Sequence, residues 1–325
     1  MNGADWRPSA SADVLRRRAA MLARLRAHFA AEGVLEVQTP VLSASAPSDP
    51  QIEPVAARPL DGSPRFLQTS PEYPMKRLLA AGVGDCYQVC PVFRDGEAGR
   101  WHGPEFTMIE WYRVGFSAQD LRRDVERLLQ AACDGLRRFA PARTVSYRDA
   151  IRAACGIDCR ATDPAAIRAV LENRGIVPAG AGHWDLDAWL DLLVGAVVGP
   201  ALGGEAPVFL IDYPPAQASL ARLGRDAEGA VVAERFELYV DGLELANGFR
   251  ELGDAAEQRR RFEADLARRR RQRQREMPLD ERLLAALAHG LPDCAGVALG
   301  FDRLVTVALG LPDLASAMSF AHERA

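Results

Sequence analysis

The sequence predicts an α+β fold, an antiparallel sheet flanked by helices, and three features carry that expectation. Strand-like and helix-like segments mix without the regular βαβ rhythm of a parallel sheet. Neighbouring strand-like runs are separated by turns too short for a crossover connection. ERFELYV and LELANGF flank Asp241-Gly242, the pair that a two-residue type I′ hairpin requires.

In chain order, residues 13–32 read as an amphipathic helix. Leu15, Leu22, Leu25 and Phe29 share one face, Ser11 or Asp13 caps the start and Gly33 the end. VLEVQTPVL follows as a strand that Pro40 cuts off. Six prolines from Pro40 to Pro64 predict an extended surface connection. Residues 72–80 read as helix, and 86–93 and 105–113 as strands joined by a polar loop. Residues 118–139 form a helix with Leu121, Val125, Leu128, Leu129 and Leu136 inward. Asp163 before Pro164, with Gly175 closing, marks another helix. VFLIDY (208–213) is a buried strand. No repeat and no linker divides the chain, so a single domain over 1–325 is expected.

The composition, 48% hydrophobic with net charge −4, supplies a core and gives no overall pull toward nucleic acid or an anionic membrane. The start, MNGADWRPSASAD, is polar, and no apolar run of about 18 residues occurs, so neither export nor membrane spanning is expected. Among six cysteines, Cys86/Cys90 and Cys155/Cys159 have C-x3-C spacing. Structural zinc favours tighter knuckles, and Cys86 and Cys90 lie in the apolar run CYQVCPVF, so reduced cytosolic thiols are expected. Lys76 is the only lysine and reads as an ordinary surface position.

Three segments carry chemistry. In the hairpin, Tyr239 faces Glu244, and Glu237 stands two residues before Tyr239 on the same side. Glu237 and Glu244 become diagonal neighbours about 7–8 Å apart at the backbone, a hard-oxygen pair able to hold Mg²⁺ with phosphates. GVALGFDRLVTVALGLP (296–312) is a strand-to-helix junction with Arg303 in the first turn, a cation beside helix N–H groups and suited to a polyphosphate. VFRDGEAGRWHGPEFTMIEWYR gathers Arg94, Arg100, His102, Glu105, Phe106, Glu110 and Tyr112. Arg94 can bond an α-phosphate, and Phe106 offers a face for adenine.

Together these segments resemble the three motifs of class II aminoacyl-tRNA synthetases, most closely the lysyl type. FAAEGVLEVQTPVL is similar to motif 1, FRDGEAGRWHGPEF to motif 2 and GVALGFDR to motif 3. TSPEYPMKRLL, VFLIDYPPAQASLARL and FELYVDGLELANGFREL also match. The resemblance implies a class II synthetase-like catalytic domain that uses ATP and Mg²⁺ and dimerises through the Pro40 region. It assigns catalysis to Arg94 and Arg303, and the phosphate tail to His102 and Arg303. Asp95, Gly96, Gly103, Phe106, Glu244, Leu245 and Gly300 would neighbour ATP, and Glu237 and Glu244 would hold Mg²⁺. Ser70, Pro71 and Glu72 would lie by the amino-acid head, with Glu110, Tyr112, Asn247 and Glu251 around its far amine, where several acids suit a ligand with two ammonium groups. Strict alternation puts Asn247 opposite Glu244, so a bulge or strand end is expected near Gly248. The family's Arg-x-Glu is here Arg94-Asp95-Gly96, and Gly103 replaces an asparagine, so Glu97 or backbone groups take over an adenine contact.

Two features resemble the elongation factor P–lysine ligase branch. The helix before motif 1 begins near residue 13, which leaves no room for an anticodon-binding barrel. Ala298 stands where lysyl-tRNA synthetases carry glycine, and one carbon is worth about 1–3 kcal/mol of discrimination. This branch implies (R)-β-lysine as substrate, elongation factor P as protein acceptor, a cytoplasmic homodimer, and no role for tRNA. Alternatives are a truncated lysyl-tRNA synthetase-like enzyme and an inactive regulatory module. Residues 257–276, with nine arginines against four acids, read as either a solvated helix face or a docking surface.

Overall fold

A computed structural model describes residues 6–176, 178 and 184–324. The polar start over residues 1–5 and the outermost residues of the expected 1–325 domain lie outside the described residues. Chain contacts group into two compact units, Met1–Arg138 with Arg250–Ala325, and Phe139–Phe249.

In the first unit, α1 (Ala12–Ala31) is capped by Ser11, whose hydroxyl accepts from Val14 N at 3.3 Å. It buries Met21, Leu25 and Phe29, and Leu22 is only half-buried. Strand β1 (Leu35–Glu36) is two residues long. The proline-rich connection is more ordered than expected: β2 (Leu42–Ser43), β3 (Ala56–Ala57) and β4 (Arg65–Leu67) form a small antiparallel sheet between prolines. Helix α2 (Glu72–Ala80) and strand β5 (Cys86–Phe93) have the expected bounds, and β6 runs Glu105–Val114. Helix α3 (Ala118–Ala132) starts on a Ser117–Asp120 capping box. It stops at Ala132 rather than residue 139, and Leu136 lies beyond it, half-buried.

In the second unit come β7 (Arg143–Ser146), α4 (Tyr147–Cys155), α5 (Pro164–Glu172), α6 (Leu186–Leu193), β8 (Val208–Tyr213) and β9 (Leu223–Arg225). The hairpin β10 (Val231–Val240) and β11 (Leu243–Arg250) closes the series. The strands run β11-β10-β8-β7, with β9 also on β10, and only β7–β8 is parallel. Asp163 caps α5 as predicted, accepting from Ala166 N at 2.9 Å. Tyr147, Ile151, Ile167, Leu171, Trp189, Leu193 and Leu210 bury together as this unit's core.

The chain returns to the first unit with α7 (Ala255–Arg271), α8 (Glu281–Gly290), β12 (Cys294–Gly300) and α9 (Phe301–Leu309). Its strands run β1-β5-β6-β12, antiparallel except for β1–β5. One sheet face is closed by helices: Phe29 stacks on Tyr87 at 4.2 Å and meets Trp111 edge-on at 5.5 Å, while Trp111 Nε1 donates to Asp124 on α3 at 3.1 Å. Register places Gln88, Glu110 and Ala298 in one row across the other face. None of the described helices is long and apolar enough to cross a membrane.

Candidate active site

Helix α2 packs Met75 and Leu79 against Cys86, Tyr112 and Cys294 of the sheet. Glu72 and Lys76, one turn apart, follow the same helix. Lys76 is therefore no surface residue. Its side chain is 1% exposed, with Nζ 2.7 Å from Glu72 Oε1 and 2.5 Å from Glu251 Oε2. A buried ammonium is tolerable only when paired in this way, and the paired carboxylates push its pKa up despite burial. Glu110, also buried, accepts from Ser70 Oγ and Tyr112 OH, each at 2.6 Å. Ser70 Oγ in turn accepts from Glu72 N at 3.0 Å, next to Pro71 at the helix start.

Three carboxyls thus share this cluster with one cation. Burial first, and for Glu110 the Glu72 charge next, push Glu110 up to about 7; burial, opposed by the Lys76 charge, pushes Glu251 up to about 8. Glu251 Oε1 is buried and accepts no hydrogen bond from the described residues. An amine entering here would find that acceptor waiting.

The floor beneath the cluster is β12. Its residues on this face are Gly296, Ala298 and Gly300, opposite Tyr112, Glu110 and Met108. A Cβ at Gly296 would lie 2.3 Å from Tyr112 Cε1 and 2.5 Å from Glu251 Oε1, so only glycine lets these groups approach. Ala298 packs with Phe106 against Cys90, Val92 and Met108.

Past Gly300, α9 carries Arg303 in its first turn, with Nε donating to Trp101 O at 3.2 Å. The motif 2 loop leaves β5 at Phe93 and rejoins at Glu105, its direct partner in register. Arg94 N donates to Pro104 O at 2.9 Å, and its guanidinium lies over the Phe106 ring, 5.2 Å from its centre. Glu97 Oε1 is 3.5 Å from Arg94 Nη1, and the chain turns at Gly96 with φ +77°. Asp95 N donates to Glu53 O at 2.7 Å. The surrounding protein and then the charges of Arg303 and Arg94 lower the His102 pKa. That influence puts the charges of Arg94 and Arg303 within electrostatic reach of His102. At Gly103 a side chain would meet only ordinary contacts, so nothing there demands glycine.

In the second unit the hairpin turns at Asp241 (φ 52°) and Gly242 (φ 76°), the two positive angles of a type I′ turn. Tyr239 pairs with Glu244 and Leu238 with Ala246, so Leu245 is an extra residue without a β10 partner. The expected bulge exists, but at Leu245 rather than near Gly248, and β11 continues to Arg250. The shift makes Asn247 the direct partner of Glu237 and puts Glu237, Tyr239, Glu244 and Asn247 on one face. Glu237 accepts from Arg235 Nη2 and Tyr239 OH, each at 2.6 Å, and from Asn247 Nδ2 at 3.3 Å. Two hard-oxygen donors, Glu237 and Glu244, share that face, a donor set that fits Mg²⁺.

Residues 2–324 match the family of class II tRNA synthetases (D, K and N). This chain belongs to that family. In this class II family the chain is 44% identical over 325 residues to an elongation factor P–(R)-β-lysine ligase of Pectobacterium carotovorum subsp. carotovorum (strain PC1), covering 98% of each. It is equally similar over 327 residues to proteins of the same name from Salmonella gallinarum and Salmonella paratyphi B, covering 99% of each.

Several residues that shape this class II site escaped the sequence reading. Asp302, 1% exposed, accepts from Thr107 N at 2.6 Å and pairs with Arg18 at 2.5 Å, tying the start of α9 to β6 and α1. Arg235 alternates with Glu237 and Tyr239 along β10, a period-two signal present in the sequence. Arg269, fully buried on α7, ion-pairs with Glu53 and donates to the carbonyls of Asp49, Ile52 and Arg275. Its neighbours Arg259, Arg260, Arg261, Arg268 and Arg270 all pair with acids. The arginine-rich segment is thus largely a self-compensated, anchored helix. All six cysteines are free thiols, four of them buried.

Proposed function

We propose that this chain activates (R)-β-lysine with ATP as the adenylate and transfers it to a lysine side chain of elongation factor P. The observation that carries the reading is the cluster of buried Glu110 and Glu251 with half-buried Glu72, which holds more acid than its single lysine balances. Its Glu110 lies on β6, the strand that also bears Phe106, paired with β12, which ends at Gly300, as a substrate with an amine at one end and a reacting carboxylate at the other requires. The relatives named as such ligases align along nearly their whole length, and the match over residues 2–324 supports treating both units as one catalytic domain.

In the first step a β-lysine carboxylate oxygen attacks the α-phosphorus and the bond to pyrophosphate breaks. Arg94 takes the α-phosphate, where charge grows, and His102 and Arg303 take the tail. Phe106 and the backbone at Asp95, Gly96, Gly103, Leu245 and Gly300 bound the nucleotide. Glu237 and Glu244 would hold Mg²⁺, which supplies charge neutralisation to the phosphates. Glu110, Tyr112 and Glu251 receive the distal amine, and Ser70, Pro71 and Glu72 the amino-acid head. In the second step the acceptor amine attacks the adenylate carbonyl, loses a proton, and AMP leaves.

The chain acts as a homodimer through the Pro40 region, a reading supported by Leu35 (53% exposed) and Leu42 (42% exposed) beside it. The protein acceptor of its relatives supports a cytoplasmic role without tRNA. The test is intact-mass analysis of purified elongation factor P after incubation with enzyme, ATP and (R)-β-lysine. One β-lysyl addition is expected. Acylation of tRNA with elongation factor P unmodified would favour a lysyl-tRNA synthetase-like enzyme, and no product with either would favour a regulatory module.

A further inference from the structure

Lys76 has no role in the reaction as written, yet it is the chain's only lysine and is buried at the amine end of the pocket. We propose that Lys76 is a positioning residue that bridges Glu72 and Glu251, fixes one oxygen of Glu251, and lowers the pH at which the pocket takes up a substrate ammonium. The proposal rests on the reading that this cluster receives the distal amine of the amino acid.

The geometry separates two kinds of carboxyl. Glu110 is held by neutral hydroxyls, Ser70 Oγ and Tyr112 OH, and among the described residues by no cation within ion-pair distance. Glu251 is held through Oε2 by Lys76, with its backbone N bonded to Cys294 O at 3.0 Å and Oε1 left without a donor. The groups facing the cluster are Glu72 and Lys76 from α2, Glu110 and Tyr112 from β6, Glu251 after β11, and the buried thiols Cys86 and Cys294. Of these, Lys76 alone is cationic. Without it the buried carboxyls of Glu110 and Glu251 and the half-buried one of Glu72 would face one another, and like charges at that range are relieved by taking up protons. A protonated carboxyl offers a substrate ammonium no charge. Lys76 fixes one oxygen of Glu251 and leaves the other as the acceptor. Its own charge weakens the hold of the competing proton: on Glu251 the Lys76 charge is the main influence opposing burial.

The experiment pairs Lys76→Met with Lys76→Arg. In Lys76→Met, KM for (R)-β-lysine at neutral pH is expected to rise roughly tenfold, the equivalent of one pKa unit, and to recover as the pH is raised. kcat and the KM for ATP stay within about twofold, because the change acts on ground-state amine binding. Lys76→Arg keeps the charge and restores the wild-type pH profile. A purely structural lysine would instead lower melting temperature and kcat with no pH-dependent recovery, which would overturn the proposal. Carboxyl titration of the ligand-free protein by ¹³C NMR needs no substrate: Glu251 should titrate at higher pH in Lys76→Met, and an unchanged titration would also overturn it. If Lys76→Met does not fold, Glu72→Gln removes one negative charge and should move the Glu251 titration to lower pH; no movement counts against the proposal. A shifted titration in a wild-type protein that activates no diamino acid would overturn the functional reading instead.

Discussion

At Gly296 the strand passes so close to Tyr112 and Glu251 that one added carbon would sit within 2.5 Å of both. Gly296→Ala must push the Tyr112 ring or the Glu251 carboxyl off its place, an overpacking cost of about 1–3 kcal/mol. The expected outcome is a large rise in KM for the amino acid with little change in KM for ATP, read by steady-state kinetics. Titration at the same residues gives a second expectation. Glu110 and Glu251 have pKa values raised above the ordinary 4.5, to about 7 and about 8. Their contribution to folded stability is therefore full below about pH 4.5 and is lost as the pH rises through 7 to 8. An entering ammonium favours the ionised form, so ligand binding releases protons in that window. The thermal shift produced by (R)-β-lysine should grow between about pH 6 and pH 8.5; a shift that is flat or falls across that range would show that these carboxyls do not meet the amine.

Among the elements, the hairpin was the most legible in sequence, because Asp-Gly fixes both its turn and the Tyr239–Glu244 pairing. What alternation could not place was the bulge: an extra residue leaves no mark on a period-two pattern except the misfit of Asn247 itself. Helix α2 was legible in its bounds but not in its burial. Lysine is nearly always exposed, and only the tertiary partner Glu251, far along the chain, makes Lys76 an inside residue. The same blindness applied to α7, whose arginines resemble a solvated face until Glu53 and the loop carbonyls are seen around Arg269. That loop also receives Asp95 N through Glu53 O. Arg269→Met removes the ion pair and the donor to three carbonyls, and should cost about 3 kcal/mol, the lower end for breaking a buried pair because Glu53 is partly exposed. Denaturant unfolding checks the stability, and a raised KM for ATP would report the loosened support of the motif 2 loop.

For the molecule as a whole, the fold class was readable and the motif segments could be singled out because synthetase motifs combine chemistry and turn geometry in short segments. Arg94, Phe106, Ser70 and Glu110 needed only local strand and helix bounds. Asp302, Arg235 and Lys76 needed long-range partners. The bias toward arginine has a consequence at this scale. An aminoacyl adenylate acylates accessible unprotonated amines, and the chain's one lysine amine is buried and ion-paired. Incubated with ATP and (R)-β-lysine without acceptor, the enzyme should gain no acyl group at Lys76 by peptide mapping, and modification there would show that the ion pair opens readily. The central claim, activation of a β-amino acid on a floor built around Ala298, is tested most directly by ATP–pyrophosphate exchange with (R)-β-lysine and α-lysine on the wild type and Ala298→Gly. The expected result is faster exchange with (R)-β-lysine in the wild type, and a shift toward α-lysine of roughly tenfold or more in the variant. Preference of the wild type for α-lysine, or exchange with neither, would contradict it.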